Sequence, residues 1–252
     1  MKLTTVVASV NNNPDYYRFI PKQIAFWRHF NIKFLAVFVG TAIPEELEAY
    51  KENIVVWSRN SELNSIFVGQ MIRIYYPALL SLADDELAMI TDMDMLPTND
   101  RYYKSGLESF TTTDFIYYRN VDGNQIYMCY NAAHPTTWAT VFGVKSEDDI
   151  EAALRSTYSN TYDGRPGATG WYTDQKLLYS ALIQYPHLKI LNRPIKRLEV
   201  GMYHSHMRNN HTDFIDQYDD FHAHRNYSAN EPLIANAEAQ LSKRATVLTS
   251  VC

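Results

Sequence analysis

Apolar positions in this chain fall into short runs separated by polar, turn-forming stretches. Leu3 to Val10 is a β-branched run closed by Asn11-Asn12-Asn13-Pro14-Asp15, which predicts a first strand. Ile20, Ile24, Trp27 and Phe30 then recur three and four residues apart, the spacing that gives a helix one apolar face. Lys33 to Val39, ended by Gly40, predicts a second strand. Pro44 to Glu52 predicts a short charged helix with Pro44 suited to its first turn, and Ile54 to Trp57 a third strand. Met71, Tyr75, Leu79 and Leu82 mark another helix, and Leu87 to Thr91 is a short apolar strand that runs into Asp92-Met93-Asp94. Strand and helix alternate with short connections over the first hundred residues, which predicts a mostly parallel, doubly wound sheet.

The second part changes character. Phe115 to Tyr118 and Ile126 to Tyr130 look like strands, followed by helices at Thr136 to Phe142, Ser146 to Tyr158 and Thr173 to Ile183. Leu188 to Leu191 is the last expected strand. From Tyr203 onward the chain is polar and rich in histidine, and Leu241 to Cys252 has no counterpart in the core pattern and reads as a linker or an appended end. There is no internal repeat and no low-complexity tract.

A length of 252 residues fits one large α/β domain, with or without a short appendage. The net charge of −5 offers no basic excess for general nucleic-acid binding, so an anionic ligand must be held by local groups or by a metal. The 19 tyrosines serve packing, or ring stacking on sugars and bases. Cys129 and Cys252 do not make a disulfide framework, and a reducing compartment is the simpler expectation. Met1 to Ala8 reads as a strand rather than a signal peptide, and no apolar stretch is long enough to cross a bilayer. On that expectation the sequons at Asn210 and Asn226 are accidental.

The most informative segment is Met89-Ile90-Thr91-Asp92-Met93-Asp94-Met95-Leu96-Pro97. If it is extended, Asp92 and Asp94 point to the same side, where a buried strand emerges at its carboxyl end. Two like charges there call for a cation or strong hydrogen bonds. A divalent ion bridging to a diphosphate would neutralise them and stabilise a departing nucleotide. The alternative is a solvated turn after a strand.

The flanking sequence resembles that of GT-A glycosyltransferases. The resemblance rests on Asp92-Met93-Asp94 after its hydrophobic strand, Ala8-Ser9-Val10-Asn11 at the end of the first strand, and Gly69-Gln70-Met71-Ile72-Arg73 opening the helix before the motif. Tyr130-Asn131-Ala132-Ala133 is similar to the family's donor-sugar strand, and Trp171-Tyr172-Thr173-Asp174-Gln175 to its acceptor-side helix start. The similarity covers residues 1–226, with 1–100 as the nucleotide-binding half and 101–226 as the acceptor half; residues 227–252 are then an extension or linker. The retaining, hexose-transferring branch and the compact domains of large algal viruses are the most similar.

The resemblance implies a single α/β domain of GT-A (Rossmann-like) type, a mixed, mostly parallel sheet flanked by helices. It implies a hexosyl- or deoxyhexosyltransferase that uses Mn2+ (or Mg2+) and a nucleotide diphosphate sugar, a UDP-sugar by family habit, and acts on a glycan or other hydroxyl acceptor. Nucleic acid and membrane spans are not expected; the chain is read as cytoplasmic, in the host cytoplasm if it is viral, and as a module of a larger chain or a unit by itself. Asp92 would contact the ribose and the metal, and Asp94 would be the main metal ligand. Ser9, Asn11 and Tyr16 (or Tyr17, stacking on the base) would hold the nucleotide. Arg73 would face the phosphates, or be a surface helix arginine; Asn131 would meet the donor sugar, or be a turn residue.

Five of the eight histidines fall between His204 and His224. The family pattern supplies a histidine late in the domain as a third ligand. His222 is favoured because Asp220-Phe221-His222 with a following arginine is similar to the family's closing motif; His224, His204 and His206 are the other candidates. A mixed carboxylate and imidazole set suits manganese better than magnesium. Thr173 is a candidate N-cap with Asp174 in the first turn. The functional alternative is that Asp174 or Gln175 faces the anomeric carbon and orients the acceptor, beneath a Gly-rich stretch, 163–170, that closes over the donor. Three rival functions remain at this point: a catalytically silent nucleotide-sugar or glycan-binding module, a phosphohydrolase with an aspartate nucleophile, and a nucleotidyltransferase. Leu96 and the mid-chain position of the motif weigh against the second, and Asn11 to Pro14 is a poor phosphate loop for the third.

Overall fold

The computed structural model describes residues 1–165, 167–200, 215–224 and 227–249. The chain opens with strand β1 (Lys2–Asn11), a single helical turn α1 (Pro14–Tyr17) and helix α2 (Ile20–Arg28). Strand β2 (Lys33–Val39), a 3-10 helix (Glu45–Asn53) and strand β3 (Ile54–Trp57) follow. Helix α3 (Ser65–Tyr75) tightens into a 3-10 turn at Tyr76–Leu79 before strands β4 (Glu86–Ile90) and β5 (Met95–Pro97) and the short helix α4 (Arg101–Lys104). Strands β6 (Phe115–Tyr117) and β7 (Asn131–Ala133) lead to helices α5 (Pro135–Phe142), α6 (Glu147–Thr157) and α7 (Thr173–Leu182). Strands β8 (Leu188–Ile190), β9 (Arg197–Val200) and β10 (Asp220–Ala223) and helix α8 (Tyr227–Thr249) complete the described chain.

The main sheet has the order β3-β2-β1-β4-β7-β6-β8. Strands β3, β2, β1 and β4 run parallel, β7 is antiparallel to both neighbours, and β8 is parallel to β6. The period of two along each strand builds two cores. Val6, Ala8 and Val10 of β1, with Phe34, Ala36 and Phe38 of β2, pack under α2 and α8. Val7 of β1, with Leu35, Val37 and Val39 of β2, packs on the other face under α3, α5, α6 and α7. This is the mixed, mostly parallel α/β sheet with helices on both faces that the periodicity predicts. Helix starts are capped as the residues suggest: Asn64 accepts from Ile66 N at 2.9 Å for α3, and Ser146 from Asp149 N at 3.2 Å for α6. Each such cap is worth about 1 kcal/mol.

Four local expectations are corrected. Ile126 to Tyr130 is not a strand, because Ile126 N bonds to Gln175 O and the carbonyls of Tyr127 and Met128 are taken by the Asn131 side chain; the ladder begins at Asn131. Leu188 to Leu191 is not the last strand, since β9 and β10 form a small second sheet with β5 in the order β5-β10-β9. Pro44 precedes a 3-10 rather than an α-helix. Leu241, placed by its sequence in an appended end, is 3% exposed in the core and lies on α8 with buried Tyr227, Ile234 and Ala237. Among the described residues no helix is long and apolar enough to cross a membrane.

Candidate active site

The parallel strands end at a cavity of about 690 Å³, within the range of small-molecule sites. At its floor lies the Asp92–Asp94 segment. Thr91 N makes the last bond to β1, at 3.1 Å to Val7 O, and the chain then turns, with Met95 N bonding to Asp92 O at 3.3 Å. The extended geometry expected here is therefore replaced by a turn. Fully buried Gln23 of α2 fixes that turn, donating to Met93 O and Met95 O, both at 2.8 Å, while Trp27 Nε1 donates to its oxygen. Met93 and Met95 are buried, and Asp92 and Asp94 both line the cavity. Both residues therefore reach the cavity from a turn, not from the strand alternation expected of them.

The second sheet supplies the neighbours of Asp94. Its register sets Asp220 beside Arg197 and His222 beside Glu199, and β5 brings Met95 opposite His222. Ala223 N bonds to Asp94 O at 3.0 Å. As a result His222 Nε2 is 3.6 Å from Asp94 Oδ2, and His222 Nδ1 is 2.8 Å from Glu199 Oε2. His224 Nε2 reaches the same Glu199 oxygen at 2.5 Å. Burial opposes charge on His222, yet Asp94 and Glu199 push its pKa up to about 10. Burial would raise both carboxyls, but the adjacent imidazoles hold Asp94 and Glu199 below the usual carboxylate range. Ligand atoms of Glu199, His222 and His224 all lie within 4.8 Å of one another, so these residues, with Asp94, have the donor chemistry and the proximity to hold a divalent cation. Glu199 was missed in the sequence. Its signal was the alternation Arg197-Leu198-Glu199-Val200, a half-buried strand with two charged residues on one face.

Arg73, near the end of α3, joins the motif to α7. It donates to Asp92 Oδ1 at 2.5 Å and to Asp174 Oδ2 at 3.0 Å. Burial disfavours its charge, but the two carboxylates outweigh this and raise its pKa. Asp174 is 2% exposed, and there burial wins over Arg73, so its pKa is raised. Its other oxygen accepts from Gln175 N at 2.8 Å. Thr173 is not the N-cap expected of it; Tyr172 occupies that place and makes no side-chain cap bond, leaving Thr173 as the first helical residue. Gln175 lines the cavity, and its Oε1 is buried without a partner among the described residues.

Ser9, Asn11 and Tyr16 line the cavity as well. The Ser9 hydroxyl donates to Gly69 O, and Asn11 Nδ2 to Ser65 Oγ at 3.2 Å, which ties the end of β1 to the start of α3. Tyr17 turns away and packs on Phe38, with ring centroids 6.3 Å apart. Asn131 is fully buried beneath the wall and does not line the cavity; its amide holds the irregular segment whose Tyr127, Met128 and Cys129 do. Over the opposite side, Tyr162 donates to Gln70 Oε1 at 2.7 Å and Gln70 to Trp171 O at 2.6 Å. Gly170, at φ +88°, closes this corner, where a Cβ would meet the Tyr162 ring at 2.4 Å. Gly164 and Arg165 of the Gly-rich stretch line the cavity, whereas Pro166 is outside the described residues. His204, His206, Asn210, Arg225, Asn226 and Cys252 also lie outside them.

No family model matches the chain, and no curated protein matches it. Among solved structures it is similar to the glycosyltransferase GlyE of Streptococcus pneumoniae TIGR4, at 13% identity over 76% of this chain and 45% of that one, TM-score 0.46. It is similar to the galactosyltransferase LgtC, solved with donor and acceptor sugar analogues, at 10% identity over 94% and 96%, TM-score 0.48. A Drosophila galactosyltransferase 7 variant, in complex with manganese, UDP-Gal and xylobiose, is 12% identical over 77% and 65%, TM-score 0.38. The chain thus spans less than half of GlyE and nearly all of LgtC.

Proposed function

We propose that the chain is a metal-dependent glycosyltransferase that moves a sugar from a nucleotide diphosphate, a UDP-sugar, to a hydroxyl of a glycan or similar acceptor. The observation that supports this most is the cavity lined by Asp92, Asp94, His222 and Arg73 beside the end of β1, with Glu199 behind His222. Around that wall five carboxylates, those of Asp92, Asp94, Asp174, Glu199 and Asp220, face three cationic side chains, Arg73, His222 and Arg197. The surplus of negative charge suits a divalent cation. Bound by Asp92, Asp94 and His222, that cation would neutralise the departing diphosphate.

In the reaction, the bond from the acceptor oxygen to the anomeric carbon forms as the bond from that carbon to the phosphate oxygen breaks. The nucleoside diphosphate leaves with the bonding pair, and the acceptor proton passes to it or to a carboxylate. Arg73, held cationic by its two carboxylates, would stabilise charge on the leaving group. Asp174, with both oxygens engaged, fits the role of positioning Arg73 better than that of a base. Gln175 lines the cavity with a buried acceptor atom that has no partner among the described residues, which fits the role of orienting the acceptor or the sugar. Ser9, Asn11 and Tyr16 would cradle the nucleoside.

The test is thermal and calorimetric titration with UDP and Mn2+, singly and together. Ligand at 100 times its Kd stabilises by about 2.7 kcal/mol. In a chain of this size that should raise Tm by roughly 5–10 °C with both present. No shift with any of UDP, GDP, CDP or their metal complexes would remove the proposal; binding without turnover of any nucleotide sugar would leave a silent binding module. Glu199→Gln should separately weaken Mn2+ binding about 10–100-fold, because Glu199 fixes which ring nitrogen of His222 faces Asp94. Equal Mn2+ affinity in the variant, measured by titration of free ion, would show that His222 is oriented by other means.

A further inference from the structure

We propose that the cavity wall formed by Arg119, Tyr127 and Cys129 is a subsite for a carboxylate, so that one of the two sugars handled by the site is acidic, of hexuronate type. This rests on the glycosyltransferase reading above and deepens it. Among the described residues, the cavity's other arginines each hold a carboxylate: Arg73 holds Asp92 and Asp174, Arg165 holds Asp163, and Arg197 holds Asp220. Arg119 holds none. Its guanidinium carbon lies 4.4 Å from the centroid of the Tyr127 ring, and Nη1 donates to Cys129 Sγ at 3.3 Å. A thiol is a weak acceptor, so most of the five guanidinium donors remain for a ligand. The ring beneath is itself pinned, since Tyr127 OH donates to Asp122 Oδ2 at 2.6 Å.

Charge separates across the cavity. Arg197 Nη2 approaches the same Cys129 sulfur at 3.7 Å, so two guanidinium groups converge there, and the carboxylates of Asp220 and, at 4.0 Å, Glu199 answer Arg197 and not Arg119. The Asp94 side carries surplus carboxylates that attract a cation. The diphosphate belongs to that acidic side through the metal and Arg73, which leaves Arg119 for a second, separate anion. A planar guanidinium preorganised by stacking matches a carboxylate with two parallel hydrogen bonds.

The experiment uses the whole chain with Mn2+, as parent, Arg119→Met and Arg119→Lys. Binding of UDP, UDP-glucose and UDP-glucuronate is measured first; transfer to 4-nitrophenyl glucoside and glucuronide acceptors is measured second. If the acid is on the donor, Arg119→Met weakens UDP-glucuronate at least tenfold and leaves UDP and UDP-glucose within twofold. If it is on the acceptor, the variant raises KM for the glucuronide at least tenfold and not for the glucoside. Arg119→Lys should fall between, keeping the charge and losing the paired geometry. Unchanged UDP affinity shows in each case that the variant is folded. Equal weakening of UDP itself would assign Arg119 to the diphosphate and overturn the subsite, as would no difference between acidic and neutral sugars in either arm. A parent chain that ignores UDP with Mn2+ overturns the transferase reading, and the subsite falls with it.

Discussion

Asp94→Asn is expected to lower kcat/KM for sugar transfer about 10³-fold, the equivalent of about 4 kcal/mol of transition-state stabilisation. Asparagine has the same shape and leaves the β5–β10 pairing intact, because that pairing uses the Asp94 carbonyl and not its carboxylate. What disappears is one full negative charge beside His222 Nε2. Mn2+ affinity should fall at least as far as for a lost outer partner, about 100-fold, since Asp94 touches the ion directly in the proposed site. Folding should be little affected: His222 keeps Glu199 on its other nitrogen and can shed its proton when Asp94 no longer supports it. Tm without metal should therefore stay within about 3 °C of the parent, less than 2 kcal/mol in a chain of this length. Titration of Mn2+ with initial rates on the preferred donor gives both numbers. A variant that binds Mn2+ within twofold of the parent would remove Asp94 from the ligand set.

The same residues show what a sequence can and cannot disclose. The strand positions of β1, β2, β3 and β4 follow from runs of apolar residues whose alternation fills two cores, so these elements are readable from local pattern, whereas their order in the sheet is not. The Asp92–Asp94 segment was readable as chemistry, but its geometry was not: the turn is imposed by Gln23, sixty-nine positions from Asp92 and on another element. Glu199 and Arg197 escaped notice because strand β9 is four residues long and takes its meaning from register with β10. Only that pairing puts Glu199 beside His222. For Asn131 the sequence leaves a donor-sugar contact or a turn open; the residue is buried, and the loop it braces takes the place at the wall. Asp174 was placed in its first helical turn, yet the Arg73 partner that occupies its carboxylate lies 101 residues earlier. In each case the missing information is a long-range contact, which periodicity and spacing do not encode.

Arg73→Met should produce the largest loss of stability of any single substitution at this site. Methionine approximates the length of the aliphatic stem, so packing under α3 is roughly kept, and the change is mainly electrostatic. Asp174, 2% exposed, would lose its cationic partner among the described residues, and Asp92 would lose the guanidinium at 2.5 Å. Removing one side of a buried ion pair costs about 3–5 kcal/mol, because the remaining charge has neither water nor a partner. That predicts a fall in Tm of roughly 6–20 °C. The cause can be separated from lost packing with Asp174→Asn. Alone, this change leaves Arg73 satisfied by Asp92 and should be mild; combined with Arg73→Met it removes the stranded charge and should recover part of the loss. A coupling of at least about 1 kcal/mol in the double-mutant cycle is expected for groups in direct contact. Additive effects, or an Arg73→Met chain melting within 2 °C of the parent, would mean that water already reaches these carboxylates. Arg73 would then be a surface cation with no special hold on the leaving group, and the diphosphate would depend on the metal alone.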